Sequence, residues 1–181
     1  MFKESLPNLL TISRALAVPV IILSFYLESR YANLITISIF IFACITDFFD
    51  GYLARAWKVQ SEFGKLFDPI ADKLIVVSTI IMLIYIHKVN DYMIIAAVII
   101  VCREILISGL REFLIATNIS LPVNKTGKVK TFLQMLAVIT LIIDNYRIIQ
   151  YVGIICLWIA AIMAIWSSYN YILISIKRIN N

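Results

Sequence analysis

Apolar runs of about 20 residues recur along the whole chain, the length an α-helix needs to cross a hydrocarbon layer roughly 30 Å thick at about 1.5 Å per residue. Six are found, near Leu9–Leu27, Ala32–Trp57, Gly64–Ile86, Tyr92–Ile115, Lys130–Ile143 and Tyr151–Ile176, and the fifth is expected to begin a few residues before its apolar part. A chain of 181 residues that is 62% hydrophobic and 15% charged, with a mean hydropathy of +0.94, is not an ordinary soluble domain. The expected fold is an all-α integral membrane protein with six transmembrane helices, because a helix satisfies its own backbone polar groups in lipid. Polar breaks at Glu28-Ser29-Arg30, Val59–Glu62, His87–Asp91, Asn118–Lys128 and Asp144–Arg147 are all short. With no long linker and no internal repeat, residues 1–181 read as a single membrane domain.

Orientation follows from the basic residues, which collect on the cytoplasmic side of short loops. With both termini inside, the outer loops hold Arg30, Lys88 and Arg147, and the other 13 of the 16 Lys and Arg fall on or near the inner face. The weakly basic start, Met1-Phe2-Lys3-Glu4, followed by a run of spanning length, reads as a retained helix rather than a cleaved signal. Cys44, Cys102 and Cys156 form no C-x-x-C pair and read as packing residues within spans. His87, a lone histidine in an outer loop, has no metal-ligating company. Trp57, Tyr92, Tyr146 and Tyr151 fall near boundaries, as aromatic anchors do.

Against that apolar background, four acids between Asp47 and Asp72 require an explanation, since a carboxylate at membrane depth costs several kcal/mol unless paired, metal-bound or solvated. Asp47, Asp50 and Ala54 share a face near the inner end of the second span, and Asp68 and Asp72 share one on the first turns of the third. The short connection makes these helices antiparallel neighbours, so the two acid pairs can converge at the cytoplasmic boundary. Four carboxylates without nearby histidine or cysteine make a hard oxygen site, suited to two Mg²⁺ or Mn²⁺ ions. Such a metal pair clamps a pyrophosphate and stabilises a leaving phosphate oxygen, which points to phosphoryl-type transfer. Gly51, Ala54 and Gly64 allow close approach of a ligand, and Arg55 offers a planar fork for phosphate oxygens. The competing reading pairs the acids with Arg55, Lys58, Lys65 and Lys73 as boundary salt bridges.

The stretch Asp47-Phe48-Phe49-Asp50-Gly51-Tyr52-Leu53-Ala54-Arg55, then eight residues, then Gly64-Lys65-Leu66-Phe67-Asp68-Pro69-Ile70-Ala71-Asp72, matches D-x2-D-G-x2-A-R-x8-G-x3-D-x3-D at every defined position. In this it resembles the CDP-alcohol phosphatidyltransferase family. The resemblance implies six transmembrane helices, a site facing the cytoplasm and a homodimer. It also implies that Asp47, Asp50, Asp68 and Asp72 bind two divalent metals, with Asp72 doubling as general base on the acceptor hydroxyl. Asp47, Gly51, Ala54, Arg55, Ser61 and Gly64 would hold the CDP portion, and CMP would leave.

The acceptor is read from three further segments, Pro7–Arg14, Arg103–Glu112 and Gly127–Thr131, which resemble the members that use sn-glycerol 3-phosphate. The implied reaction joins it to CDP-diacylglycerol, with its 1-hydroxyl as nucleophile, in a bacterial plasma membrane. Arg103, Arg111, Lys125, Lys128 and Lys130 are expected to gather at the inner ends of the fourth and fifth helices and capture the acceptor phosphate; the competing role is attraction to anionic headgroups. Asn8 and Thr11 would contact CDP from the first helix, unless Asn8 merely caps it, while Arg14 would touch substrate or snorkel to headgroups. Membrane lipids are the other expected partners, with no nucleic acid. Three alternatives remain at this level: another acceptor such as inositol phosphate or serine, a cation or proton transporter, and a silent scaffold.

Overall fold

A computed structural model describes the chain at residues 2–29, 31–57, 62–116, 125–143 and 146–179, and its side chains at 12–29, 31–46, 70–71, 73–114, 126–143 and 146–176. Six helices are described: α1 (Phe2–Ser24), α2 (Ala32–Trp57), α3 (Glu62–Tyr85), α4 (Tyr92–Ala116), α5 (Lys125–Ile142) and α6 (Arg147–Ile179). Among the described residues there is no strand. The helices group into two compact units, Met1–Tyr85 and Ile86–Asn181.

In the first unit α2 and α3 each pack along α1. Ile21, Phe40, Ala43, Ile75, Ile80 and Leu83 are buried there and form its centre. Near the end of α1, the hydroxyls of Ser24 and Thr36 share a 2.8 Å hydrogen bond with α2, both side chains buried. The rings of Tyr26 and Tyr85 meet at 5.8 Å between centroids, tying the same end of α1 to the last residue of α3. Arg14, the cation expected at substrate or headgroups, is only 1% exposed, so the snorkelling reading is corrected: its side chain lies inside the unit.

In the second unit α6 packs on both α4 and α5. Ala96 and Ala97 on α4, with Ala160, Ala161 and Ala164 on α6, are fully buried or nearly so. Such small residues let helix backbones approach closely where van der Waals packing, not hydrophobic exclusion, must hold them. Gly153 lies where α6 passes close to α5: a Cβ there would lie 2.9 Å from Leu141 Cγ and from Thr140 Oγ1. Lys88, in the turn before α4, donates from Nζ to the carbonyl of Ile142 at 2.7 Å, capping the C-terminal end of α5. His87 and Asp91 adopt positive φ (59° and 44°) in that turn.

Two helices, Tyr92–Leu114 and Arg147–Ile176, are long and apolar enough to cross a bilayer, and shorter apolar helical stretches run through Ile12–Ser24, Ala32–Thr46 and Lys73–Tyr85. Large apolar side chains point outward on every helix described, among them Leu16, Phe42, Ile81, Ile105, Phe132 and Trp166. Tyr92, Tyr146 and Tyr151 are strongly exposed at helix starts, in line with boundary anchoring. Of the cysteines, Cys156 is buried and Cys44 half-buried, but Cys102 is exposed and does not pack.

Candidate active site

The first unit carries the aspartate signature on two helices. Asp47, Asp50, Gly51, Ala54 and Arg55 belong to α2, and Gly64, Asp68 and Asp72 to α3, all within continuous helical backbone. On such backbone the i, i+3 pair of α2 and the i, i+4 pair of α3 each occupy one face. Asn8 and Thr11 lie on α1, against which both helices pack. The side chains of all ten residues lie outside those described, and Ser61 lies outside the described residues altogether.

The second unit shows its polar side chains, and they are not scattered. Arg103 and Glu104 on α4 project from an apolar helix, and Lys130 on α5 is 1% exposed. Glu104 Oε1 accepts from Lys130 Nζ in a close ion pair and lies 3.5 Å from Arg103 Nη1. Arg103 Nη2 donates to the hydroxyl of Ser167 on α6 at 3.2 Å, and Ser167 is fully buried. One charged network thus joins all three helices of the unit. Lys130 is buried, while the side chains of Arg103 and Glu104 are each 13% exposed. Isolated charges in such surroundings cost several kcal/mol and persist when paired or when a ligand completes them.

Two buried atoms of this unit meet no hydrogen-bond partner among the described residues: Nε of Arg103, and Oε1 of Gln134, which is 2% exposed and follows Lys130 by four residues on α5. Each such buried group costs about 1–3 kcal/mol while unmatched. The expected phosphate cations therefore divide. Glu104 brings half-buried Arg103 and buried Lys130 together, whereas Arg111 and Lys128 are exposed. Arg111 stays within electrostatic reach of Arg103, as its i+8 spacing on α4 anticipates. Lys128 and Lys130 point to different sides of α5, being two residues apart. The side chain of Lys125 lies outside those described.

Glu104 and Ser167 are members of this cluster that sequence reading did not assign, and Gln134 is a buried polar side chain of α5 that it did not assign either. An acid beside Arg103 in an apolar run was a visible signal; Gln134, at i+4 from Lys130, was a weaker one. An apolar groove of about 460 Å³ between α4 and α6, lined in part by Ile105, Leu106, Gly109, Phe113, Ile172 and Ile176, offers no charged group. Its one hydroxyl, Ser175, is spent on the carbonyl of Tyr171 at 2.7 Å.

Comparison with known proteins agrees with the signature. Residues 4–166 match the CDP-alcohol phosphatidyltransferase family. A CDP-diacylglycerol–glycerol-3-phosphate 3-phosphatidyltransferase of Rickettsia bellii is 48% identical over 93% of both chains. Proteins of the same name from Pectobacterium atrosepticum (40% identical over 93% of both chains) and Haemophilus influenzae (39%, over 94% of this chain and 92% of that one) are also similar. With long apolar helices and a family match over most of its length, this membrane protein belongs to the CDP-alcohol phosphatidyltransferase family.

Proposed function

We propose that this protein transfers the phosphatidyl group of CDP-diacylglycerol to sn-glycerol 3-phosphate, giving phosphatidylglycerol phosphate and CMP. The observation that carries the reading is similarity along 93% of both chains to relatives bearing that activity in their name. The network of Arg103, Glu104 and Lys130 supports it physically, because a guanidinium and an ammonium group brought together suit an anionic acceptor.

The proposed donor site is the aspartate signature. Asp47, Asp50, Asp68 and Asp72 would hold two divalent ions, Mg²⁺ or Mn²⁺, and the fit rests on an all-oxygen donor set carried by two helices that pack on a common third. Ions held there would supply charge neutralisation of the pyrophosphate and stabilisation of the departing CMP oxygen. The remaining steps belong to the chain itself. Arg55 binds a phosphate oxygen pair, while Gly51, Ala54 and Gly64 leave room for the nucleotide, aided by Asn8, Thr11 and Ser61. Asp72 takes the proton from the 1-hydroxyl as that oxygen attacks phosphorus. Arg103, Arg111, Lys125, Lys128 and Lys130 hold the acceptor phosphate.

In this reading all six helices cross the bacterial plasma membrane, α5 being just long enough at about 27 Å for 18 residues. The family match runs through both compact units, which supports treating 1–181 as a single domain. Both termini and the active site face the cytoplasm, and the protein works as a homodimer.

The test is CMP release by purified, detergent-solubilised protein given CDP-diacylglycerol and Mg²⁺, with glycerol 3-phosphate, inositol 1-phosphate or serine as acceptor. Turnover is expected with glycerol 3-phosphate alone and is expected to stop when a chelator removes the ions. Asp72→Asn should lower it by about 10²–10⁴-fold, the usual worth of a general base, while eluting like the wild type. Turnover with a different alcohol would overturn the acceptor, and turnover in the presence of chelator would overturn the metals.

A further inference from the structure

Gln134 follows Lys130 by four residues on α5, so the two side chains share a face and stand about 6 Å apart along the helix axis. That is the scale separating the phosphate of a small polyol phosphate from its hydroxyls. Gln134 is 2% exposed, and its Oε1 meets no donor among the described residues. Arg103, joined to Lys130 through Glu104, has a buried Nε that meets no acceptor among the described residues. The two unmatched atoms are complementary in kind. One calls for an anionic oxygen and the other for a hydroxyl, and a polyol phosphate carries both.

We propose that Gln134 is a specificity-determining residue of the acceptor site, its side-chain amide hydrogen-bonding the acceptor hydroxyl that does not attack phosphorus. The assignment rests on the acceptor reading given above. It holds for either orientation of the amide, because a hydroxyl both donates and accepts. A buried site made to bond a substrate hydroxyl rejects an analogue lacking it, since its own polar group is then left unmatched. In glycerol 3-phosphate that group is the 2-hydroxyl.

The experiment compares glycerol 3-phosphate with 3-hydroxypropyl phosphate, which keeps the phosphate and the attacking primary hydroxyl but lacks the hydroxyl at C2. The full-length protein is assayed by CMP release as wild type, Gln134→Leu and Gln134→Met, two variants that keep an apolar core of similar volume. The wild type is expected to favour glycerol 3-phosphate by about tenfold or more in kcat/KM. Both variants should bring that ratio to within about twofold, through loss with glycerol 3-phosphate and not with the analogue. Equal losses with both acceptors, an unchanged ratio, or a wild type that does not discriminate would each overturn the role of Gln134 while leaving the reaction intact. A wild type that uses neither compound but releases CMP with another alcohol would overturn the acceptor reading, and this assignment with it.

Discussion

At the scale of single residues, the second unit turns on an exchange of charge between Glu104 and Lys130. Lys130 is buried to 1% exposure, and Glu104 is the anion paired with it. Removing one member of a buried pair strands the other, and that costs about 3–5 kcal/mol; removing both together is often close to neutral. Glu104→Ala should therefore destabilise the protein by about 3–5 kcal/mol in denaturant titrations, leaving Lys130 and Arg103 without their shared carboxylate. Glu104→Gln combined with Lys130→Met should lose less than half as much, since a glutamine still accepts from Arg103 and no cation is stranded on α5. A loss below about 1 kcal/mol for Glu104→Ala would place the pair with exposed surface salt bridges and remove it as an anchor of the three helices. The double variant also separates stability from binding: it should fold yet bind glycerol 3-phosphate poorly, because Lys130 is one of the proposed phosphate ligands.

Between elements, one tight constraint is the passage of α6 over α5 at Gly153. A methyl group there would meet Leu141 and Thr140 at 2.9 Å, and Leu141 is itself buried with little room to retreat. Gly153→Ala should cost about 1–3 kcal/mol by overpacking, seen as earlier thermal unfolding in detergent, and Leu141→Ala in the same chain should recover part of it instead of adding its full cost. A fully additive pair would show that the two positions do not press on each other. That contact was invisible in the sequence, where Gly153 is one more small residue in an apolar run; the partner that makes it matter lies on another helix. The helices themselves were legible because apolar runs of spanning length leave little else to form. Their ends were less so. α1 begins at Phe2 and α6 at Arg147, ahead of the apolar runs at Leu9 and Tyr151, because helical hydrogen bonding continues through polar residues that hydropathy counts as breaks. Arg14 taught the same lesson for sites: its type and position suited a headgroup contact, and only the fold shows it turned inward. Asp47 to Asp72 stood out for the opposite reason, since a dense local pattern needs no partner from a distant segment to be recognised.

For the molecule as a whole, the distribution of charge makes a claim about topology that two long apolar helices alone do not carry. Thirteen of sixteen basic residues fall on one side when six helices cross and both termini are cytoplasmic, and each basic residue near an anionic leaflet is worth about 1 kcal/mol. Among the three exceptions, Lys88 has a local role in capping the end of α5, so its presence in a turn that this topology would put outside is accounted for by helix termination and is no pull toward the opposite face. With Cys44, Cys102 and Cys156 replaced by serine, single cysteines can report each side. Ser29→Cys, His87→Cys and Tyr146→Cys, at exposed positions in the turns after α1, after α3 and before α6, should react with a membrane-impermeant maleimide on the outside of the plasma membrane. Asn118→Cys, in the connection from α4 to α5, and Asn181→Cys should react only after the membrane is opened. Reversal of all five would turn the aspartate helices away from the cytoplasm, where a nucleotide-activated lipid and a soluble sugar-alcohol phosphate would have to meet. A single reporter on the unexpected side would instead identify a helix next to it that does not cross, and six spans would no longer describe the fold.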